Sequence, residues 1–187
     1  MKPTLTEEDY IAAADKLGVE VAIIKAVAEV ESKGKGFLDT GEPVILFERH
    51  KFHTFTGGLF DKSHPNISNK KPGGYGKVSD QHKRLQEAAS LDRDAALRSA
   101  SWGKFQIMGF NWAALGYESV QDFVNAMYIS EAEHLDAFLR FITVNNLLQY
   151  LKDKNWAKFA RGYNGKDYKI NDYDGKLARA YKKFKSG

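Results

Sequence analysis

The sequence holds 187 residues, 43% hydrophobic and 28% charged, enough for the core of one ordinary globular domain. It contains no cysteine, which excludes disulfides and thiolate metal sites. A formal net charge of +4 favours anionic partners, but nucleic acid, anionic membranes and bacterial cell wall all qualify, so charge alone does not choose.

The N-terminal stretch is acidic and polar (Glu7, Glu8, Asp9), where a secretory signal would need a basic start and an apolar run. No apolar stretch is long enough to span a bilayer. A first helix is expected from about Glu7 to Leu17, with Thr6 as N-cap, Asp9 in the capping-box position and Gly18 as the stop. A second is expected from about Glu20 to Ser32. Its apolar residues (Val21, Ile23, Ile24, Ala26, Val27, Ala28, Val30) lie on most sides, which marks a buried central helix. Pro43 to Glu48 is β-branched and aromatic-rich and reads as a strand. Residues 57–80 are polar and glycine-rich and read as a long segment without regular structure, the kind that is functional or mobile. From about Asp80 the pattern is helical nearly to the end, broken at glycines 103, 109, 116, 162, 165 and 175. The C-terminal run alternates Lys176, Arg179, Lys182, Lys183 and Lys185 with Leu177, Ala180, Tyr181 and Phe184. It fits either a terminal helix with a solvated face or an amphipathic helix that touches anionic surfaces.

Helical geometry separates the two glutamates that end the second helix. At roughly 100° per residue, Glu31 falls beside Val27 and Ile24 on the apolar face, whereas Glu29 points away and stands four residues after Lys25, a solvent-side pair. Burial disfavours a charged carboxyl, so Glu31 is a candidate neutral acid of the kind that protonates a glycosidic oxygen. Taken alone, it is better read as a carboxylate bonded at a helix end, to nearby backbone or an arginine.

Three segments change that balance together. Glu31-Ser32 resembles the Glu-Ser signature of goose-type lysozymes and soluble lytic transglycosylases. Ser101-Trp102-Gly103-Lys104-Phe105-Gln106-Ile107-Met108-Gly109 is similar to their Gly-Leu-Met-Gln segment in variant form, and Ala160-Arg161-Gly162-Tyr163-Asn164-Gly165 to their Ala-Tyr-Asn segment. With Ile45-Leu46-Phe47-Glu48-Arg49-His50, the chain closely resembles the catalytic domain of the N-acetylmuramidase family found in phage endolysins. That resemblance implies an α+β fold, mainly α-helical and lysozyme-like, with a small β element beside the catalytic helix. It implies a muramidase domain that cleaves the β-1,4 bond between N-acetylmuramic acid and N-acetylglucosamine. Members of the family often carry a separate wall-binding domain as well, but the expectation here is one catalytic domain over 1–187, with no room for a second.

Under this resemblance Glu31 is the catalytic acid, and Ser32, Ser101, Gly103, Gln106, Ile107, Tyr163 and Asn164 contact the glycan. Gly103 and Gly109 allow close backbone approach, and Gln106 offers both donor and acceptor. Packing in the core is the simpler role for Trp102, Phe105, Ile107 and Met108. A second carboxylate, where the chemistry uses one, is sought among Asp39, Glu42 and Glu48. Glu48 is favoured because strand alternation sets it on the face of Val44 and Leu46, though an ion pair with Arg49 fits it equally. Lytic transglycosylation, in which the muramic acid 6-hydroxyl replaces water, and a non-catalytic wall-binding module are the alternatives.

No cofactor and no metal are expected. His50 and His53 are close, but no His-Glu-x-x-His string supports a zinc site. No nucleic-acid motif is present either. The expected partner is the peptidoglycan glycan strand, met by a monomer, with a weak contact to an anionic membrane or outer-membrane surface through the C-terminal helix. Endolysin kinship implies a protein of the host cytoplasm that a separate pore-forming protein releases to the wall.

Overall fold

The N-terminal helix forms where its caps dictate. In the computed structural model, which describes residues 2–32 and 34–186, α1 spans Glu7–Leu17. Thr6 Oγ1 accepts from the Asp9 amide while the Asp9 carboxylate accepts from the Thr6 amide at 2.9 Å, and Gly18 closes the helix at φ +63°. After it, α2 (Val21–Glu31) buries Ala22, Ile23, Ile24, Ala26, Val27, Ala28 and Glu31. Both α1 and α10 (Tyr173–Lys185) pack on it. That packing overrides the local pair expected between Lys25 and Glu29. Lys25 reaches Glu7 of α1 at 2.7 Å, and Glu29 takes Lys183 of α10 at 2.6 Å.

The expected strand is shorter than its pattern, β1 covering Ile45–Phe47, and Glu48 begins α3 (Arg49–Phe55) instead of ending the strand. Next come α4 (Gln81–Leu91) and α5 (Arg93–Arg98). The helical reading beyond Asp80, broken only at glycines, fails at the following segment. Ala100–Trp102 (β2) and Ile107–Met108 (β3) form a hairpin, and β1 pairs antiparallel with β2 through Ile45–Trp102, Leu46–Ser101 and Phe47–Ala100. Four residues between two short apolar strands are too few for helical periodicity to reveal, and the turn needs Gly103 at φ +71°. The remaining helices are α6 (Val120–Met127), α7 (Glu131–Val144), α8 (Leu148–Lys152) and α9 (Trp156–Asn164), ahead of α10. Trp102, Phe47, Phe52, Phe123, Phe138 and Phe159 are the largest fully buried side chains.

Residues 57–80 prove to be pinned turns, ending in a short 3-10 turn at Val78–Asp80. Ile67 and Ser68 are buried. Arg84 donates to the carbonyls of Asn66, at 2.8 Å, and Gly74. Gln81, 2% exposed, accepts from the Phe47 amide at 2.9 Å and donates to the Tyr75 and Lys77 carbonyls, tying the loop to the sheet edge. Polar anchors from the next helix thus supply the order that local sequence lacks.

The cationic face of α10 is largely engaged. Lys183 pairs with Glu29, Lys185 with Glu20, and Arg179 with Asp172, while Leu177 and Ala180 are buried. Glu20 also takes Lys154 and the Tyr181 hydroxyl, and these bonds, led by Lys154, hold its carboxyl down at about 2. Unfolded, that carboxyl titrates at roughly 4.3. The stabilisation is therefore complete above the unfolded value and is lost as pH falls through about 2. Glu20→Gln is expected to lower the Tm at pH 7, with the gap to the native protein closing as melts are repeated from pH 5 toward pH 2 and shrinking in high salt. A gap independent of pH would mean that the ion pairs contribute nothing.

Candidate active site

Glu31, a residue only 6% exposed, ends α2, a helix that is apolar nearly all round. Beside it lies a cleft of about 440 Å³, lined by Glu31, Phe105, Gln106, Ile107, Met108, Phe110, Asn111, Phe141, Asn145, Tyr163 and Asn164. Four parts of the chain meet there: the end of α2, the hairpin with the turn after it, the C-terminal half of α7 and the end of α9. Hollows between α1 and α7 and between α2 and α10 lack this convergence of a buried acid with aromatic and amide side chains.

Asn164 Nδ2 donates to Glu31 Oε1 at 3.0 Å, so the last residue of α9 fixes the carboxyl's orientation. Tyr163 is positioned by rings. It stacks on Phe159 at 5.9 Å and meets Phe138 and Phe141 edge-on at 5.4 and 5.7 Å. Phe105 in the hairpin stacks on Phe138 at 4.5 Å, completing an aromatic column from the hairpin through α7 to α9. Burial pushes the Tyr163 hydroxyl far above the ordinary phenol range. It remains a neutral donor at every pH at which the fold works.

The structure brings Glu31, Gln106, Ile107, Tyr163 and Asn164 together on one cleft and leaves the other expected residues outside its lining. Ser32 is the C-cap of α2, its amide bonded to the Ala28 carbonyl. Ser101 is buried, and its hydroxyl donates to Gln106 Oε1 at 2.8 Å. Gln106 also donates to the carbonyls of Gly103, at 2.9 Å, and Val44, at 3.2 Å, from a left-handed backbone at φ +51°. Its amide is mostly spent on holding the hairpin. Gly103 packs on His134, where an added Cβ would lie 2.8 Å from the imidazole, and so gives close approach to a protein ring. Glu48 stands at the start of α3 with its carboxylate 3.2 Å from His50 Nε2, and Glu42 lies 3.6 Å from His82. Asp39 is exposed, beside Lys35.

Sequence reasoning missed Phe110, Asn111, Phe141 and Asn145. The last two had a signal, since Phe138, Phe141 and Asn145 follow one helical stripe, and an amide ending an apolar stripe is a polar group aimed at a cleft. Also unforeseen was a buried polar clasp behind the hairpin. Glu131 accepts from the Gly36 amide at 2.8 Å and the Leu5 amide at 3.2 Å, and pairs with Lys104 at 3.2 Å. His134 Nε2 donates to the Met127 carbonyl at 2.7 Å, and its Nδ1 accepts the Lys104 amide at 3.1 Å. That tautomer agrees with a pKa lowered by burial.

Gly109, which closes the hairpin segment, approaches α5 so tightly that an added Cβ would sit 2.1 Å from the Leu97 carbonyl oxygen. Because backbone rather than a flexible side chain is met, Gly109→Ala is expected to cost about 1–3 kcal/mol, measurable in urea denaturation. A midpoint equal to that of the native protein would show that the hairpin yields freely.

A model of the N-acetylmuramidase family matches residues 20–185. No curated protein matches the chain. Among solved structures, the crystal structure of the Burkholderia AP3 phage endolysin is similar at 47% identity and a TM-score of 0.94, over 98% of this chain and 73% of that one. The matched region holds all of the cleft residues named above, and the expected lysozyme-like fold is the one observed. With nine-tenths of its length covered by that family model, the chain belongs to the N-acetylmuramidase family, the lysozyme-like glycosidases that hydrolyse peptidoglycan.

Proposed function

We propose that Glu31 is the general acid of this hydrolysis, acting on a glycan strand that lies in the cleft between α2, α9 and the hairpin. The observation that carries the reading is a glutamate only 6% exposed on the wall of that cleft, its carboxyl oriented by Asn164. Loss of hydration weighs against the charged form of a buried carboxyl, and a neutral acid is the form that can donate. In the proposed step the Glu31 proton passes to the oxygen linking N-acetylmuramic acid to N-acetylglucosamine as the bond from C1 to that oxygen breaks. Water then adds its hydroxyl to C1 and releases a proton to solvent, and the Glu31 carboxylate regains its proton. The neutral Tyr163 hydroxyl and the Asn145 and Asn164 amides are placed to bind sugar hydroxyl and N-acetyl groups.

Glu48 is given no share in this step, since its carboxylate is engaged with His50 and does not line the cleft. Ser32, Ser101 and Gly103 are assigned to support of the helix end and the hairpin. Likeness to a phage endolysin supports action on the bacterial wall, with arrival there through a separate pore-forming protein as part of the proposal. Among the described residues no helix is long and apolar enough to cross a membrane.

Glu31→Gln keeps a partner for Asn164 and is expected to melt as the native protein does while clearing purified peptidoglycan about 10²- to 10⁴-fold more slowly. A native clearing rate in that variant would refute the assignment. With a net charge of +4 on the protein and an anionic wall, the native rate is expected to fall as salt rises at fixed pH. A rate unchanged from low to high ionic strength removes charge attraction from the account.

A further inference from the structure

An exposed aromatic ring stands at the lip of the cleft, out of keeping with the buried rings behind it. Phe110, in the turn after β3, lines the cleft and is 37% exposed. It contacts Phe55 of α3 at 6.1 Å between ring centroids. Each ring of this pair carries a cation: Lys51 Nζ lies 5.2 Å from the centroid of Phe110, and the Arg98 guanidinium lies 4.2 Å from that of Phe55. The two cations differ in one respect. Arg98 is matched by Asp94 at 3.1 Å, whereas among the described residues Lys51 has no carboxylate within ion-pair distance. The ring quadrupole holds the ammonium in place without neutralising it. An ammonium kept in this way at the edge of a binding cleft is a preformed receptor for an anion.

We propose that Lys51, held over Phe110, binds a carboxylate of the stem peptide attached to the muramic acid residue in the cleft, so that the enzyme prefers wall whose stems carry free acids. The inference rests on the reading that the cleft beside Glu31 holds the glycan. Its chemistry follows from the substrate class. The lactyl substituent of muramic acid points away from the glycan backbone and bears a peptide with free carboxylates, so a strand seated in the cleft projects acids past its lip. Phe110 is part of the cleft wall, so Lys51, seated over its ring, stands next to that wall. Lysine suits a flexible peptide acid, since it acts as a point charge and needs no planar fork.

The test compares initial hydrolysis rates on two preparations of the same purified peptidoglycan, one untreated and one whose carboxylates have been converted to amides with carbodiimide and ammonia. The native protein is expected to be about fivefold slower on the neutralised wall, through KM more than kcat. Lys51→Gln is expected to lose most of that preference, Lys51→Arg to keep it, and Phe110→Leu to weaken it while leaving the charge in place. Lys182→Gln, which removes one exposed positive charge of α10 outside the cleft lining, is expected to keep the native preference and so separates a local receptor from net charge. The proposal is overturned if Lys51→Gln keeps the native preference, or if it is slowed by the same factor on both walls. Failure there leaves the role of Glu31 intact, because that role is read from the activity of Glu31→Gln on untreated wall.

Discussion

A carboxyl carried into the protein on the end of an apolar helix must be compensated locally, and much of the architecture around the cleft follows from that requirement. An unsatisfied buried carboxyl is costly. Here Asn164 supplies a donor at 3.0 Å, which ties the end of α9 to the end of α2. Asn164 can be there only if α9 is fixed along its length. The column of Phe105, Phe138, Tyr163 and Phe159 does this, joining the hairpin, α7 and α9 by ring contacts of 4.5 to 5.9 Å. A cleft assembled from four separated parts of the chain is thereby braced by contacts that join all of them.

The clasp of Glu131, Lys104 and His134 performs the same service one layer back. It is made of charged and polar groups buried between α7, the hairpin and the segment that follows Glu31. Buried charges are tolerated when every partner is present, and both Glu131 oxygens are bonded, as are both imidazole nitrogens of His134. The close packing also explains two glycines, since a Cβ at Gly36 or Gly103 would collide with His134. These residues hold the hairpin that carries Gln106 and Ile107, and their part in the cleft is support.

Net charge turns out to be a coarse guide to the surface. Much of the positive excess sits on α10, but Arg179, Lys183 and Lys185 are committed to Asp172, Glu29 and Glu20, where they join that helix to its neighbours. Cations left without acids matter more for recognition than the total, because unpaired charge is what an incoming anion meets. Aromatic rings can hold such a cation without cancelling it, and the pair of Phe55 and Phe110 shows the contrast on adjacent rings.

The local rules in the sequence determined a good deal. Capping chemistry defined α1 to the residue, because Thr6, Asp9 and Gly18 act only on their own turn. Periodicity set Glu31 on the buried side of α2, because a helix that is apolar nearly all round leaves one direction inward at that position. Motif order pointed to Gln106, Tyr163 and Asn164, which do share the cleft. Tertiary packing decided the rest. The hairpin between residues 100 and 108 is held by β1, more than fifty residues earlier, and its strands are too short to declare a period. The 57–80 segment takes its order from Arg84 and Gln81, outside its own boundaries. Phe110 and Asn145 reached the cleft through contacts between elements far apart in the chain. Sequence specifies what each turn of backbone prefers within a few residues, but which side chains face one another across a cleft depends on the angles at which whole helices pack, and those are fixed only when the core closes.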